Sequence, residues 1–458
     1  MKIRLRMSTL ALAAVVALLS ACGGQTSTPA PAAGATAAPG ATTAPAAGAT
    51  TAPAAGAPAA DATTAPASGD QVTLTYGMWD QNQQPAMQKT IDEFQKLHPN
   101  IKVEIQLTPW ANYWDKLKTA AAGGEINDVL WMNGPYFPFY ASKGLLLDLQ
   151  PYMDKDKFPI DQYPKTILGL YQYKDDYYAG PRDFDTIALF YNKDLFDAAG
   201  VKYPDDSWDW NTMRDAAKKL TKAPDQWGMV VWNSGQEQYM NFLYGNGGAI
   251  LSDDKTKCSL DQPQSIQAFQ FLVDLIYKDK VSQLPQAMGD DPTVFFQQGK
   301  AAMITTGSWN VGPYSKNLKF KWGIAPLPKS PNTGNRVSVI HGLGNVISAK
   351  TKHPDQAWQF VQYMATQPGQ QILADTGTQI PTLTGLAKNW QDAHKDEPTQ
   401  IFLDATKYSK EYPASVSFAE WNDVLNKGLT QIYNNQTPVE QGLKDICTQM
   451  NPILATDK

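Results

Sequence analysis

The stretch VTLTYGMWDQNQQPAMQKTIDEFQKLHPNIKVEIQL, residues 72–107, decides the fold class of this chain. It begins with a run of β-forming side chains and ends in strict alternation of apolar and polar residues, so both ends are predicted strands. Between them, Met87, Ile91 and Phe94 lie on one face of a predicted helix that begins near Pro85. A strand, a helix and a strand in this order predict parallel strands joined by a crossover helix.

The alternation of strands and helices continues to the end of the chain. It predicts an α/β protein with helix-flanked, mostly parallel, doubly wound sheets, two of them in a chain of 458 residues. Such sheets bind ligands in the loops after the carboxyl ends of their strands, here 79–80 and 133–136. Further strands are predicted at 128–132, 186–191, 301–305, 321–327 and 337–348, and further helices around 114–121, at 210–220, 266–277 and 354–364 and in the tail from 420.

The first residues have the pattern of a secretion signal. Three basic residues precede the apolar run 10–19, which ends in Leu19-Ser-Ala-Cys22. This ending resembles the bacterial lipobox, whose cysteine is lipidated and becomes the mature N-terminus. We expect a signal peptide at 1–21 and attachment to the outer face of the cell membrane through lipidated Cys22. The alternative is an ordinary secretion signal with a chance cysteine.

The segment 22–70 has the composition of a flexible tether. From Gly23 to Asp70, 45 of 48 residues are Ala, Pro, Thr, Gly or Ser. Such a segment has no apolar surface whose burial would offset the entropy lost on ordering, so we expect it to be disordered. Its Thr and Pro content also permits glycosylation.

Composition and motifs exclude several classes of protein. A formal net charge of −5 lacks the surplus of Lys and Arg that a nucleic-acid binder needs. After residue 20 no apolar run approaches the roughly 20 residues that span a bilayer. Nucleophile-elbow, phosphate-loop and zinc motifs are missing, so we assign no catalytic residue, metal or cofactor, although a catalytic pair of carboxylates stays open. Cys258 and Cys447 form either a disulfide or two buried thiols.

Aromatic residues recur beside polar residues in five predicted loops. A Trp ring can cover the apolar face of a sugar, while Asp, Asn and Glu side chains hydrogen-bond to its hydroxyl groups. Because most Trp side chains lie in protein cores, it is this recurrence that indicates a ligand site. The five segments are Trp79-Asp80, Asn133-Gly-Pro-Tyr136, Trp232-Asn-Ser234, Ser308-Trp309-Asn310 and Glu420-Trp421-Asn422.

A series of longer motifs carries a family resemblance. The motifs are 94–103 (FQKLHPNIKV), 122–129 (AGGEINDV), 140–149 (YASKGLLLDL), 180–186 (GPRDFDT), 190–196 (FYNKDLF), 303–309 (MITTGSW), 341–344 (HGLG) and 357–360 (AWQF). In their order and spacing they resemble the family-one bacterial extracellular solute-binding proteins, the maltose-binding-protein-like group. Gln95 and Asn127 depart from the family pattern, which often has Glu and usually Pro at these positions.

The resemblance implies a two-lobed, periplasmic-binding-protein-like (type II) fold without enzymatic activity. The N-terminal lobe would comprise 71–182 and 307–366, and the C-terminal lobe 183–306 and 367–458. The chain would cross between them near 181–185, 305–307 and 366–369. Ligand between the lobes would favour the closed form, which the membrane permease of an ABC importer would recognise. We expect a monomer.

The resemblance also implies which side chains face the ligand. Two of these positions each keep alternatives open. Arg182 forms a hinge salt bridge with Asp183, contacts ligand directly, or does both, and His341 binds a hydroxyl group or merely ends a strand. Only one of Asp183 and Asp185 is expected to face the ligand. The first lobe would contribute Trp79, Asp80, Asn133 and Tyr136, with Trp309 and His341 on its return; the first crossing Arg182, Asp183 and Asp185; and the second lobe Trp232, Glu237 and Trp421.

The acidic and aromatic character of these loops favours a neutral sugar as ligand. The number of Trp residues favours an oligosaccharide. Two alternatives stay open, namely a secreted, lipid-anchored carbohydrate-active enzyme and a binding protein for a polyamine, peptide or anion. An anion site would be expected to have unpaired Arg or Lys side chains and helix N-termini in the cleft.

Overall fold

The computed structural model describes residues 71–289 and 291–457. The predicted signal peptide, Cys22 and the tether lie outside the described residues. The strands are β1 (Val72–Met78), β2 (Ile101–Leu107), β3 (Val129–Asn133), β4 (Gln172–Tyr173), β5 (Asp176–Tyr177), β6 (Ala179–Pro181), β7 (Asp183–Phe184), β8 (Ile187–Asn192), β9 (Met303–Gly307), β10 (Trp322–Ala325), β11 (Ser338–Ile340), β12 (Leu343–Ile347), β13 (Ile380–Pro381) and β14 (Ser409–Glu411).

The helices follow the strands through most of the described chain. They are α1 (Gln84–Leu97), α2 (Trp110–Gly123), α3 (Phe137–Ser142), α4 (Gln150–Asp156), α5 (Lys165–Gly169), α6 (Lys193–Ala199), α7 (Trp210–Leu220), α8 (Met240–Gly245), α9 (Pro263–Tyr277), α10 (Thr293–Gln297), α11 (Val311–Asn317), α12 (Pro354–Ala365), α13 (Gln367–Asp375), α14 (Ala387–Ala393), α15 (Gln400–Ala405), α16 (Phe418–Tyr433) and α17 (Val439–Leu454).

The first sheet has five strands in the order β2-β1-β3-β12-β6. β1 pairs in parallel with β2, from Val72 opposite Ile101 to Met78 opposite Leu107, and also in parallel with β3. β12 pairs antiparallel with both β3 and β6. The carboxyl ends of β1, β2, β3 and β6 and the amino end of β12 therefore meet at one edge, which we call the site edge.

The stretch 72–107 folds as its sequence predicts. The apolar face of α1 is buried, and its Phe94 contacts Phe360 of α12 with ring centroids 5.1 Å apart. Tyr76 of β1 contacts the same Phe360 ring at 5.2 Å. The crossover helix is thus fixed between the sheet and α12, and the parallel pairing of β1 and β2 confirms the prediction.

The second sheet has three strands in the order β10-β8-β9, and both pairings are antiparallel. The sequence predicts a mostly parallel sheet here, which is wrong for these described strands. Ile187 at the start of β8 lies opposite Gly307 at the end of β9. β9 therefore brings the chain back to the place where β8 began, and this return requires antiparallel pairing.

The chain rejoins the first sheet later than predicted. The sequence assigns 307–366 to the first lobe, with a crossing at 305–307. Trp322–Ala325 (β10) instead pairs with β8 of the second sheet, and the next strand of the first sheet is Leu343–Ile347 (β12). Because β10 pairs with the second edge of β8, the chain still belongs to the second sheet at Ala325. It therefore returns to the first sheet between β10 and β12.

The predicted strand 337–348 is divided by a bend at Gly342. β11 before the bend pairs with β14, whereas β12 after it pairs within the first sheet. A Cβ at Gly342 would lie 2.3 Å from the carbonyl oxygen of Asp183, so only glycine allows this approach. The bend places His341 at the site edge, in an antiparallel bridge with Asp185.

Helix α13 contacts the helices of the first sheet. The sequence places 367–458 in the second lobe, with a crossing at 366–369. Gln370 of α13 instead donates a hydrogen bond to the carbonyl oxygen of Arg182 at 2.7 Å, and side chains of α1 and α13 line a common void. The chain therefore does not leave the first sheet at 366–369.

Cys258 and Cys447 form a disulfide, one of the two outcomes that the sequence left open. The bridge joins the turn after α8 to helix α17, 189 residues later in the chain. No helix in residues 71–289 or 291–457 has both the length and the apolar character needed to cross a bilayer.

Candidate functional site

Asp185 and His341 form the centre of the site edge. The His341 Nδ1 atom lies 3.5 Å from Asp185 Oδ2, and the backbone N–H of Gly134 donates to His341 Nε2 at 3.2 Å. Because Nε2 accepts this bond, the neutral ring carries its proton on Nδ1, facing the carboxylate. Both side chains are buried. The imidazole of His341, just before β12, thus joins the loop after β3 to the segment after β7.

The loop before α8 reaches Asp185 from the side of the second sheet. Gln236 Nε2 donates to Asp185 Oδ1 at 2.5 Å. Gln236 lies on a single π-helical turn, Gly235–Tyr239, a conformation that is frequent at functional sites. Tyr412 closes the same region, with its ring centroid 6.2 Å from that of His341. Asp185 is therefore held by Gln236 from the loop before α8 and by His341 from the bend before β12.

Glu237, the next residue on the π-helical turn, has a carboxyl group that the protein largely encloses. Its Oε1 accepts from the Thr306 hydroxyl at 2.7 Å, and its Oε2 accepts from Ser234 at 3.1 Å. The pKa of Glu237 is raised to about 7, mainly by burial; the hydrogen bonds from Thr306 and Ser234 oppose this rise, and nearby Asp291 and Asp185 contribute to it. We call Asp185, His341, Gln236, Glu237 and Thr306 the polar group.

Trp309 lies beside the polar group with its ring half-buried. A Cβ at Gly307 would lie 1.9 Å from this ring, so the glycine lets the indole lie over the backbone. Asn310 donates to the Thr306 hydroxyl at 2.7 Å and so anchors the turn. Trp309 follows β9 of the second sheet, whereas the sequence placed it on the first lobe. Trp232 is only 6% exposed and belongs to the hydrophobic core.

Four aromatic side chains stand at the other end of the site edge. The Trp114 and Tyr136 rings stack at 3.7 Å, and Trp79 contacts both Trp110 and Trp114, at 5.2 and 5.9 Å. Tyr136 also meets the edge of Phe418 from α16 at 4.8 Å. Burial raises the pKa of Tyr136 to about 12. We call Trp79, Trp110, Trp114 and Tyr136 the aromatic group.

Two members of the aromatic group, Trp110 and Trp114, were not among the predicted ligand residues. In the sequence, Trp114 indicated only the position of helix α2. A sharper signal was present, because Pro109 caps a helix that begins shortly after β2, and two Trp residues stand at i and i+4 of that helix. That spacing places both rings on one helix face at the carboxyl end of a strand.

Arg182 and Asp183 form the hinge salt bridge that the sequence left as one alternative. Arg182 Nη1 contacts Asp183 Oδ2, Nη2 donates to Gln83 at 2.6 Å, and the guanidinium covers the Trp131 ring at 4.1 Å. Asp183 also accepts from the backbone N–H of Leu343 at 3.0 Å. Burial raises the pKa of Asp183, and Arg182 partly offsets this. Both side chains are at most 2% exposed, so neither faces solvent.

Asp80 and Asn133 lie in the loop after β1 and at the end of β3. Asp80 accepts from the backbone N–H of Asn82 and from Gln83 Nε2, both at 2.8 Å. It thereby fixes the same Gln83 side chain that contacts Arg182. Asn133 is the last residue of β3 and is 8% exposed. Both residues lie at the site edge, where Asp80 orders the loop.

Trp421 is not brought to the site edge. Its side chain is fully buried on the inner face of α16, and its Nε1 donates to the Ser415 hydroxyl at 2.9 Å. Its ring contacts Phe418 at 4.8 Å. In this structure Trp421 is a core residue that supports Phe418, because its position in the helix faces inward.

Among the described residues, cavities also lie outside the polar and aromatic groups. A void of about 10 Å³ beside Arg182 is lined by side chains of α1, α12 and α13. An open depression of about 460 Å³ is lined by four polar residues of α16. In the part of the chain that the structure describes, no cluster of three or more His, Cys, Asp and Glu side chains has the arrangement of a metal site.

Comparisons with known proteins identify the fold and the family of this chain. The chain is 24% identical over 354 residues to the maltotriose-binding protein of Pyrococcus abyssi, covering 75% of this chain and 73% of that protein. Its structure is similar to an ABC substrate-binding protein of Listeria monocytogenes in complex with cycloalternan, with a TM-score of 0.79 and 27% identity over 84% of this chain and 99% of that one.

A second solved structure also has a similar fold. It is an ABC transporter solute-binding protein of Thermotoga lettingae bound with α-D-tagatose, with a TM-score of 0.77 and 25% identity over 84% of this chain and 100% of that one. These similarities confirm the predicted periplasmic-binding-protein-like fold. A family model described as bacterial extracellular solute-binding protein matches residues 79–371, more than half of the chain. The chain therefore belongs to the bacterial extracellular solute-binding protein family.

Proposed function

We propose that this protein is the sugar-binding component of an ABC importer and that it takes a neutral oligosaccharide. The observation that carries the proposal is the meeting of two kinds of side chain at one sheet edge. Hydrogen-bonding residues such as Asp185 and His341 lie toward β12 and β6, and indole rings lie toward β1 and β2. A sugar presents hydroxyl groups to the first kind and ring faces to the second.

The charges of the site favour a neutral ligand over an ion. Among the predicted site residues, Arg182 is the only Lys or Arg, and it is paired with Asp183. An anion would therefore meet carboxylates without a free cation. A polyamine would need fully ionised carboxylates, whereas Glu237, with a pKa of about 7, is partly protonated at neutral pH.

The family supports binding without chemical turnover. Its members are solute-binding proteins, and the similar Listeria and Thermotoga structures are substrate-binding components of ABC transporters. The two carboxyl groups of the polar group also serve as hydrogen-bond acceptors for Gln236, Thr306 and Ser234. These roles account for them without a catalytic pair.

Thermal-shift screening of the purified protein against sugars, polyamines, peptides and anions tests the ligand class. A selective rise in melting temperature with an oligosaccharide, followed by calorimetric titration, supports the proposal. Stabilisation by a polyamine or an anion alone would overturn it. Chromatography of the recovered sugar separates the two classes of activity, because a binding protein returns the oligosaccharide intact and an enzyme yields shorter products.

We further propose that Cys22 carries the lipid that holds the protein at the outer face of the membrane, with 22–70 as the tether between the lipid and the folded part of the chain. The support is the signal sequence and the composition of the segment. Cys22→Ser should move the protein from the membrane fraction to the soluble fraction without changing its affinity for sugar. Retention of the variant in the membrane fraction would contradict this assignment.

A further inference from the structure

We propose that Trp110 is an outer stacking platform by which the protein distinguishes long from short oligosaccharides. The inference rests on the proposed function and adds a residue that selects ligand length. It depends on three observations, namely the strand that Trp110 follows, the exposure of its ring and the contacts that hold the ring.

The strand order places Trp110 at the end of the site edge. Trp110 follows β2, the edge strand of the order β2-β1-β3-β12-β6, whereas His341 lies just before β12, and Asp185 lies beyond the end of β6, directly after β7. Neighbouring strands lie about 4.8 Å apart, so three to four spacings, roughly 14–19 Å, separate the two ends. A single sugar ring held by Asp185 and His341 does not reach Trp110, but a chain of several rings does.

The ring of Trp110 is open to solvent. Its residue is 48% exposed, whereas Trp131 and Trp421 are fully buried. A large aromatic ring left exposed beside a ligand site costs solvation free energy that contact with a ligand would recover. Tyr203, 38% exposed, is a second exposed aromatic residue among those described, and it follows α6 beside the second sheet, outside the site edge.

The orientation of Trp110 is fixed by its aromatic neighbours. Trp79 and Trp114 both contact it in edge-to-face geometry, at 5.2 and 5.6 Å with interplanar angles of 69° and 87°. Trp114 in turn stacks on Tyr136. Supported in this way, Trp110 presents a preorganised surface, so little side-chain entropy is lost when a ligand ring covers it.

The test compares affinities across a series of sugars that differ only in length. Calorimetric titration of wild type and Trp110→Ala is done with glucose, maltose, maltotriose and longer maltodextrins, or with the matching series of another sugar if the screen selects one. We expect Trp110→Ala to weaken binding of the longest sugars by about two- to tenfold, the range of an aromatic contact. Affinity for the shortest sugar that binds should not change. Trp110→Phe should restore most of the loss.

Tyr203→Ala is the matched control, because it removes another exposed aromatic ring and should leave every affinity unchanged. An equal effect of Trp110→Ala on all lengths, or no effect on any, would overturn the role of Trp110 while leaving sugar binding established. Wild-type protein that binds no sugar in the screen would instead overturn the proposed function, and the role of Trp110 with it.

Discussion

The polar and aromatic groups occupy the same sheet edge but are built differently. In the polar group the side chains are largely enclosed and already hydrogen-bonded within the protein, as Asp185 is to Gln236 and Glu237 is to Thr306. In the aromatic group the rings contact one another and one of them, Trp110, remains largely exposed. The polar group is thus fixed before ligand arrives, whereas the aromatic group keeps free surface.

This difference predicts how each group contributes to binding. A ligand hydroxyl that joins the polar group must share donors and acceptors that are already in use, so the geometry there is demanding and favours one orientation. A ring that stacks on an indole has no such requirement, because stacking tolerates different substituents. We expect the polar group to decide whether a sugar binds and the aromatic group to decide how well longer sugars bind.

The largest expected effect concerns the ion pair behind the polar group. Arg182→Ala leaves Asp183 buried without its partner, and removing one member of a buried pair costs about 3–5 kcal/mol. Urea denaturation should show this loss in the free energy of unfolding. Lys388→Ala, which breaks an exposed pair with Asp392, should change it by about 1 kcal/mol or less. Equal losses in the two variants would mean that burial of the Arg182 pair is unimportant.

A comparison of the two sheets shows which parts of the fold the sequence could predict. The alternating pattern of 72–107 predicted the first sheet because local periodicity fixes which face of each element is buried. The pairing of β10 with β8 could not be predicted from local sequence, because it joins segments about 130 residues apart whose local patterns fit either sheet. The predicted boundary at 307 therefore differed from the structure.

Local sequence was enough to place some of the predicted site residues, whereas the positions of others depend on tertiary packing. Local sequence placed Trp79, Asn133 and Tyr136 after strands, and the structure finds them at the site edge. The pairing of Asp185 with His341, which lies 156 residues later in the chain, depends on the bend at Gly342, which periodicity does not show. Trp421 has the same polar neighbours as a loop Trp, but its place on the inner face of α16 is set by tertiary packing. Whether the residues brought together contact ligand remains a prediction.

The second effect is a pH dependence that arises from Glu237. Its pKa is raised from 4.5 in a free chain to about 7 in the folded protein, so the folded state binds more protons across this interval. Its contribution to the free energy of unfolding is present below pH 4.5 and is lost as pH rises through 7. The expected loss is about 3 kcal/mol.

Glu237→Gln removes this titration while keeping the shape of the side chain. The difference in unfolding free energy between the variant and wild type should therefore grow in favour of the variant as pH rises from 4.5 to above 7. Asn426→Ala, which alters an exposed residue of α16 without removing a titratable group, serves as the control and should give a constant difference. A constant difference for Glu237→Gln as well would show that its carboxyl group titrates normally.

The third effect separates the two groups through ligand affinity. Asp185→Asn keeps the size of the side chain but removes the charge that orients Gln236 and His341. Hydrogen bonds to a charged group contribute about 1.5–3 kcal/mol, so affinity should fall about ten- to hundredfold. The loss should be the same for short and long sugars, unlike that of Trp110→Ala. Asp445→Asn on the surface of α17 is the control, and a loss for Asp185→Asn that depends on sugar length would contradict the division into two groups.

The smallest expected effect concerns the contact between the aromatic group and helix α16. Phe418→Leu removes the edge contact between Phe418 and Tyr136, which contributes about 0.5–1.5 kcal/mol. Because this contact forms without any ligand, its loss should shift the ligand-free protein toward more open forms. Small-angle scattering should then show a larger radius of gyration without ligand and an unchanged one with it. Phe271→Leu, which alters an aromatic contact with Trp210 away from the site edge, should leave both values unchanged. If Phe418→Leu also left both unchanged, closure would depend on the polar group alone, and the aromatic group would act only on bound ligand.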